Sequence, residues 1–131
     1  MQRTRVSSDS IWEERVGFSR AIRAGKWVCV SGTTATDADG NVIGAGDPHA
    51  QTVAIIEKIE RALREVGATL ADVVRTRIYV VNADDWEAVG AAHARFFGEV
   101  RPANTLVEVS RLVGAGYLVE IEADALIGDV P

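Results

Sequence analysis

At 131 residues the chain is long enough for one hydrophobic core and too short for two, so a single domain over residues 1–131 is expected. With 47% hydrophobic and 25% charged residues, its composition excludes a disordered or low-complexity chain. A net charge of −5 argues against a nucleic-acid backbone as the main partner, because that binding rests on an excess of Lys and Arg.

The lone cysteine, Cys29, rules out an intrachain disulfide and fits a reducing cytoplasm. Its place in the apolar run Trp27-Val28-Cys29-Val30 reads as a buried small hydrophobe rather than a nucleophile. Met1-Gln2-Arg3-Thr4-Arg5 is not followed by the apolar core of a signal peptide, and no stretch is long enough to span a bilayer. A soluble protein without a membrane partner is expected.

In chain order, a short strand is predicted near Arg3 to Val6, followed by a loop to Glu14. Residues 16–24 are extended in character, and Gly25-Lys26 is a hairpin turn into a strand from Trp27 to Ser31 that Gly32-Thr33-Thr34 ends. Asp37-Ala38-Asp39-Gly40-Asn41 is a loop with Asp39-Gly40 as its turn signal. Asp47-Pro48 opens the first helix as N-cap and first helical position. Thr52, Ile55, Ile56, Ile59, Leu63 and Val66 then share one face, and Gly67 is the left-handed cap.

A helical turn at residues 69–72 precedes the strand Val73 to Val81, whose Val74, Thr76, Ile78 and Val80 are assigned to the helix-covered face. The second helix is predicted from Asp84, with Glu87 closing a capping box and Trp86, Val89, His93 and Phe96 or Phe97 as its buried stripe. His93 reads as a packed, hydrogen-bonded histidine, since the only other histidine, His49, opens the first helix. Arg101-Pro102 leads into two terminal strands; in the second, Val119, Ile121 and Ala123 alternate with Glu120 and Glu122.

The order β, β, β, α, β, α, β, β describes an α+β fold, a mixed sheet with two helices on one face. The other face carries Arg75, Arg77, Tyr79, Glu120 and Glu122, and such a face is expected to close against further copies of the chain, its arginines and carboxylates paired between strands. No P-loop, dinucleotide fingerprint, nucleophile elbow or zinc spacing is present. From residue types alone the chain is an α+β oligomer with an acidic cleft.

From about Val16 to Asp124 the chain resembles the YjgF/RidA (Rid) family of reactive intermediate deaminases. The resemblance rests on Val30-Ser31-Gly32, Val73-Val74-Arg75-Thr76-Arg77-Ile78-Tyr79-Val80, Arg101-Pro102-Ala103, and Val107-Glu108-Val109-Ser110-Arg111-Leu112 with Val119-Glu120-Ile121-Glu122-Ala123. It implies a homotrimer of chorismate-mutase-like subunits, sheets inward and helices outward, with a cleft at each interface. It also implies hydrolysis of imine and enamine intermediates to 2-keto acids and ammonia with no metal or cofactor. In such proteins an arginine after the Pro-Ala pair grips the substrate carboxylate, and a glutamate on the last strand positions water.

Here the glutamate matches Glu120, whereas Asn104 stands at the arginine position and Phe18 at that of an early tyrosine. One neutral amide replaces a charged planar fork, which argues against the usual 2-imino acid substrates. The expected pocket comprises Phe18, Ser31, Gly32, Thr33, Asn104, Thr105 and the catalytic candidate Glu120, holding a small neutral or weakly polar ligand with a hydrolysable C=N group. In a variant of this reading Arg20, on the same strand face as Phe18, restores the missing charge. The alternatives are a small-molecule-binding or sensing module without turnover, and a ribonuclease or translation inhibitor, which the acidic balance disfavours.

Overall fold

In the computed structural model, which describes residues 2–128, the chain folds as β1 (Arg3–Val6), α1 (Ile11–Val16), β2 (Ala21–Ala24), β3 (Trp27–Thr33), α2 (Pro48–Glu65), β4 (Val73–Val80), α3 (Trp86–Phe97), β5 (Ala103–Glu108) and β6 (Val119–Leu126). Met1 and residues 129–131 of the expected domain lie outside the described residues. The strands form one sheet in the order β1-β2-β3-β6-β4-β5, with β4 and β5 parallel and every other pair antiparallel. The mixed α+β architecture is thus the one the element pattern indicates.

The core lies between the sheet and the two long helices. Asp47 caps α2 by accepting from the Ala50 amide at 3.0 Å, and Pro48 follows at the first helical position. Ile55, Ile56, Ile59 and Leu63 then turn inward and are fully buried against Val28, Val80, Ile121 and Ala125 of the sheet. Burying each such side chain contributes about 1.5–3 kcal/mol. Gly67 ends the helix at φ +83°, where a side chain would be strained.

Several expectations need correction. Residues 11–16 are helical rather than loop: Ser10 accepts from the Trp12 amide and Gly17 closes the turn at φ +87°, so six residues whose apolar side chains stay exposed are held by their two caps. Strand β2 begins only at Ala21, and β3 runs through Gly32 to Thr33 across a register break between Val30 and Thr33. A second break between Val73 and Arg75 turns Val73 into the core and leaves Val74 exposed. The helix α3 starts at Trp86 behind a 3₁₀ turn at Ala83–Asp85 that Asn82 caps, and Trp86 faces outward at 59% exposure. Cys29 pairs in register with Asp124 on the uncovered face and is half-buried rather than in the core.

His93 is packed as expected, its Nε2 at 2.9 Å from Thr76 Oγ1 and its ring 4.6 Å from that of Phe97. Among the described residues no helix is long and apolar enough to cross a membrane. Truncating Ile59, fully enclosed under α2, removes core packing that no neighbour can replace. Ile59→Ala should cost about 2–5 kcal/mol in chemical denaturation, against less than about 0.5 kcal/mol for Arg64→Ala, which loses only a solvent-exposed ion pair to Glu60.

Candidate functional site

The uncovered face is ruled by how β4 and β6 pair. Tyr79 stands opposite Glu120, Arg77 opposite Glu122 and Arg75 opposite Asp124. The side chains nevertheless engage one step further along: Arg77 Nη1 reaches Asp124 Oδ2 at 3.1 Å, and the Tyr79 hydroxyl donates to Glu122 Oε1. Diagonal contacts of this kind lie within reach of long side chains. Their consequence falls on Glu120, the last acid of the row. Among the described residues its carboxylate accepts no hydrogen bond and closes no ion pair.

Glu120 lies across Gly32. A Cβ built on that glycine would collide with Glu120 Oε2, so the bulged stretch of β3 leaves space for the carboxylate only because residue 32 has no side chain. Partial burial raises the carboxyl above the ordinary glutamate range; the nearby Arg20 guanidinium opposes that rise and Glu122 adds to it.

The carboxylate borders a cavity of about 890 Å³ whose walls include Phe18, Trp12, Tyr117, Arg20, Lys58 and Arg61. Arg20 is largely enclosed and stacks on Phe18, its guanidinium carbon 5.4 Å from the ring centroid. Its Nη1 donates to the Gly32 carbonyl at 2.6 Å and to Thr33 Oγ1 at 3.2 Å, and its Nε lies 3.8 Å from Glu13. Lys58 donates to the carbonyls of Thr34 at 2.8 Å and Thr36 at 3.2 Å. Tyr117 accepts from Thr36 Oγ1 at 2.7 Å.

Of the residues singled out from sequence, Phe18, Arg20, Gly32 and Glu120 line this one cavity. Ser31 and Thr33 stand behind it: Ser31 Oγ donates to the Ser19 carbonyl, and Thr33, 1% exposed, donates to the Ser31 carbonyl. Asn104 and Thr105 lie on β5, separated from β6 by the whole of β4. The register pairs Asn104 with Thr76 and Thr105 with Arg77, so only Thr105 points to the uncovered face. The Asn104 amide donates to Thr76 Oγ1 at 2.9 Å on the other side. One chain therefore does not bring residues 104 and 105 to Glu120.

Arginine and carboxylate do pair between strands, through the diagonal Arg77–Asp124 contact, and Glu120 is left out of that pairing. Lys58, Arg61, Trp12 and Tyr117 were not foreseen. Lys58 and Arg61 lie off the apolar face of α2 at helix-neighbour spacing, a sequence signal readable only once the partner surface is known. Among the described residues no group of three or more His, Cys, Asp or Glu stands together as a metal site would require.

The sheet order, the helices on one face and the glutamate-bordered cavity define an α+β protein of the YjgF type. The structure matches that of Rv2704 from Mycobacterium tuberculosis, a member of the YjgF/YER057c/UK114 family, with a TM-score of 0.87 and 51% identity over 96% of this chain and all of that one. An uncharacterized protein from Streptomyces coelicolor is 41% identical over 96% of this chain and 93% of its own length. A RutC family protein from Pyrococcus abyssi is 38% identical over 82% of this chain and 84% of its own length. The family model described as Endoribonuclease L-PSP matches residues 11–127. The chain belongs to this family, the YjgF/RidA family.

Because burial lifts the Glu120 pKa, the folded state binds that proton more tightly than the unfolded chain does, and the ionised carboxylate weakens the fold at neutral pH. The penalty fades as pH falls through the raised folded value toward the unfolded value of about 4.3. Glu120→Gln should therefore raise Tm near pH 7, with the gain shrinking toward about pH 4. A lower Tm near neutrality would mean that the carboxylate holds a structural partner.

Proposed function

We propose that the chain is a cytoplasmic, cofactor-independent hydrolase that adds water to a small imine or enamine in a cleft between the subunits of a homotrimer, with Glu120 as the catalytic carboxylate. The observation that carries this reading is a half-buried carboxylate, free of cationic partners among the described residues, facing a cavity of about 890 Å³. A base of raised pKa in such a place can take a proton from water as the oxygen adds to the C=N carbon. Glu120 passes that proton to the imine nitrogen to give a carbinolamine; the hydroxyl proton then follows to the nitrogen, the C=O bond forms as the C–N bond breaks, and ammonia and a carbonyl compound leave with Glu120 ionised again. Phe18 supplies an apolar wall, and Gly32 leaves the space in which the carboxylate sits at the edge of the cavity.

The trimer is supported by the uncovered face, where Trp27, Val107 and Leu126 remain 43%, 42% and 46% exposed around the charged rows. Apolar side chains interleaved with paired charges on a face without helices suit contact with a second copy. A neighbour's β5 edge would bring the Asn104 and Thr105 region to the cavity that its own chain leaves open. Asn104 offers one amide where the family resemblance implies a guanidinium, so 2-imino acids lose their usual anchor at that position. That loss is also what favours a binding module without turnover. The net charge of −5 and the acids Asp9, Asp37 and Asp39 around the cavity oppose a ribonuclease reading.

Ammonia release should be followed with imines generated in situ from amino acids by an amino-acid oxidase. Glu120→Ala should abolish any acceleration, and Asn104→Arg should create or strengthen turnover of 2-iminopropanoate. Ligand binding without ammonia release in every variant would support the binding module instead. Light scattering should report three chains, and a monomer would remove the interface on which the cleft depends.

A further inference from the structure

The cavity holds more positive charge than the chemistry of Glu120 uses. Arg20, Lys58 and Arg61 all border it. Arg20 gives its Nη1 to Gly32 and Thr33 and sets its Nε 3.8 Å from Glu13, so it is already held by protein contacts that include a carboxylate. Lys58 is different. Its ammonium has three donors, and two go to the carbonyls of Thr34 and Thr36. Among the described residues it forms no ion pair, although it is half-buried.

Burial and the neighbouring charges of Arg20 and Arg61 lower the Lys58 pKa, the signature of a cation short of negative charge. Arg61 stands one helical turn away on the same face of α2. The acids at the cavity do not supply the missing charge: Asp37 Oδ1 accepts from the amides of Asp39 and Asn41, and Asp9, Asp37 and Asp39 are solvent-exposed at the mouth.

Glu120 and Lys58 meet the same stretch of chain at different points. Along the chain, Glu120 covers Gly32 while Lys58 grips the carbonyls two and four residues further on. At about 3.3 Å per extended residue the nearer of these lies roughly 7 Å away.

We propose that Lys58, supported by Arg61, is the anion anchor of this cavity, and that its ligand is a small carboxylic acid whose charged end lies several bonds from the C=N or C=O carbon presented to Glu120. This rests on the hydrolytic reading of the same cavity and names its substrate class. It differs from the neutral ligand suggested by Asn104: the carboxylate is recognised at the other end of the molecule, where a guanidinium at position 104 is not needed.

The test uses three probes that need no turnover, 4-oxopentanoate, its methyl ester, and pyruvate, with binding to the oligomer followed by ligand-observed NMR and calorimetry. 4-Oxopentanoate should bind more tightly than both others. Lys58→Met should weaken it by about ten- to a hundredfold, the loss of one charge-assisted contact, while leaving the ester unchanged. Lys58→Arg should retain the preference at an unchanged Tm, which separates lost recognition from lost folding. Glu120→Gln should also retain it. Absence of hydrolysis with a Lys58-dependent preference would sink the chemistry of Glu120 and leave the anchor standing. Equal affinity for acid and ester, binding of neither, tighter binding of pyruvate, or a preference that survives Lys58→Met would each overturn the anchor.

Discussion

The site depends on a single step of offset between two neighbouring strands. Arg77 and Tyr79 of β4 do not engage the residues directly opposite them but the next acids along β6, Asp124 and Glu122. A row of three acids meets two partners displaced toward one end, and the acid at the other end is left over. An unpaired, half-buried carboxylate is unfavourable for stability. Here it coincides with the glycine that makes room for it and with a cavity of about 890 Å³, a coincidence that a purely structural charge lattice does not need.

The rest of the fold serves to hold that offset. The two helices cover one face of the sheet and bury an aliphatic layer in which Ile55, Ile59, Leu63, Val80 and Ile121 are almost completely enclosed. Packing of this density fixes the register of β6 between β3 and β4, since a slip of one residue would send Ile121 to the open face and Glu120 into the core. The open face is therefore free to carry charge without endangering the core. Arg20 continues the logic at the edge of β2, tying Gly32 and Thr33 to the strand beside them and placing a positive charge near Glu120 without closing on it.

Much of this was legible in the residue order. The alternation of Val119, Ile121 and Ala123 with acids, the stripe of isoleucines after Asp47-Pro48, and the Gly25-Lys26 hairpin each follow from a period or a cap, and they define the α+β sheet. Phe18, Arg20, Gly32 and Glu120 line one cavity because the turn before β2, the end of β3 and the start of β6 are neighbours in the sheet. Less visible were features set by register and bulges. Val74 and Trp86 are hydrophobic yet exposed, the first because a bulge shifts the phase of β4. Diagonal pairing cannot be read from alternation, which assigns a face and not a partner. Helix α1 is shorter than any periodic signal, and Lys58 acquires meaning only when α2 is seen to border the hollow.

The central claim is that, among the described residues, Glu120 stands without a cation of its own. Its carboxyl titration, followed by NMR in protein labelled with ¹³C-glutamate and assigned with Glu120→Gln, reads that state directly. The carboxyl carbon should titrate above the unperturbed glutamate value of about 4.3. A midpoint at or below that value would mean that a positive group has closed on the carboxylate, and the site built around it would be contradicted.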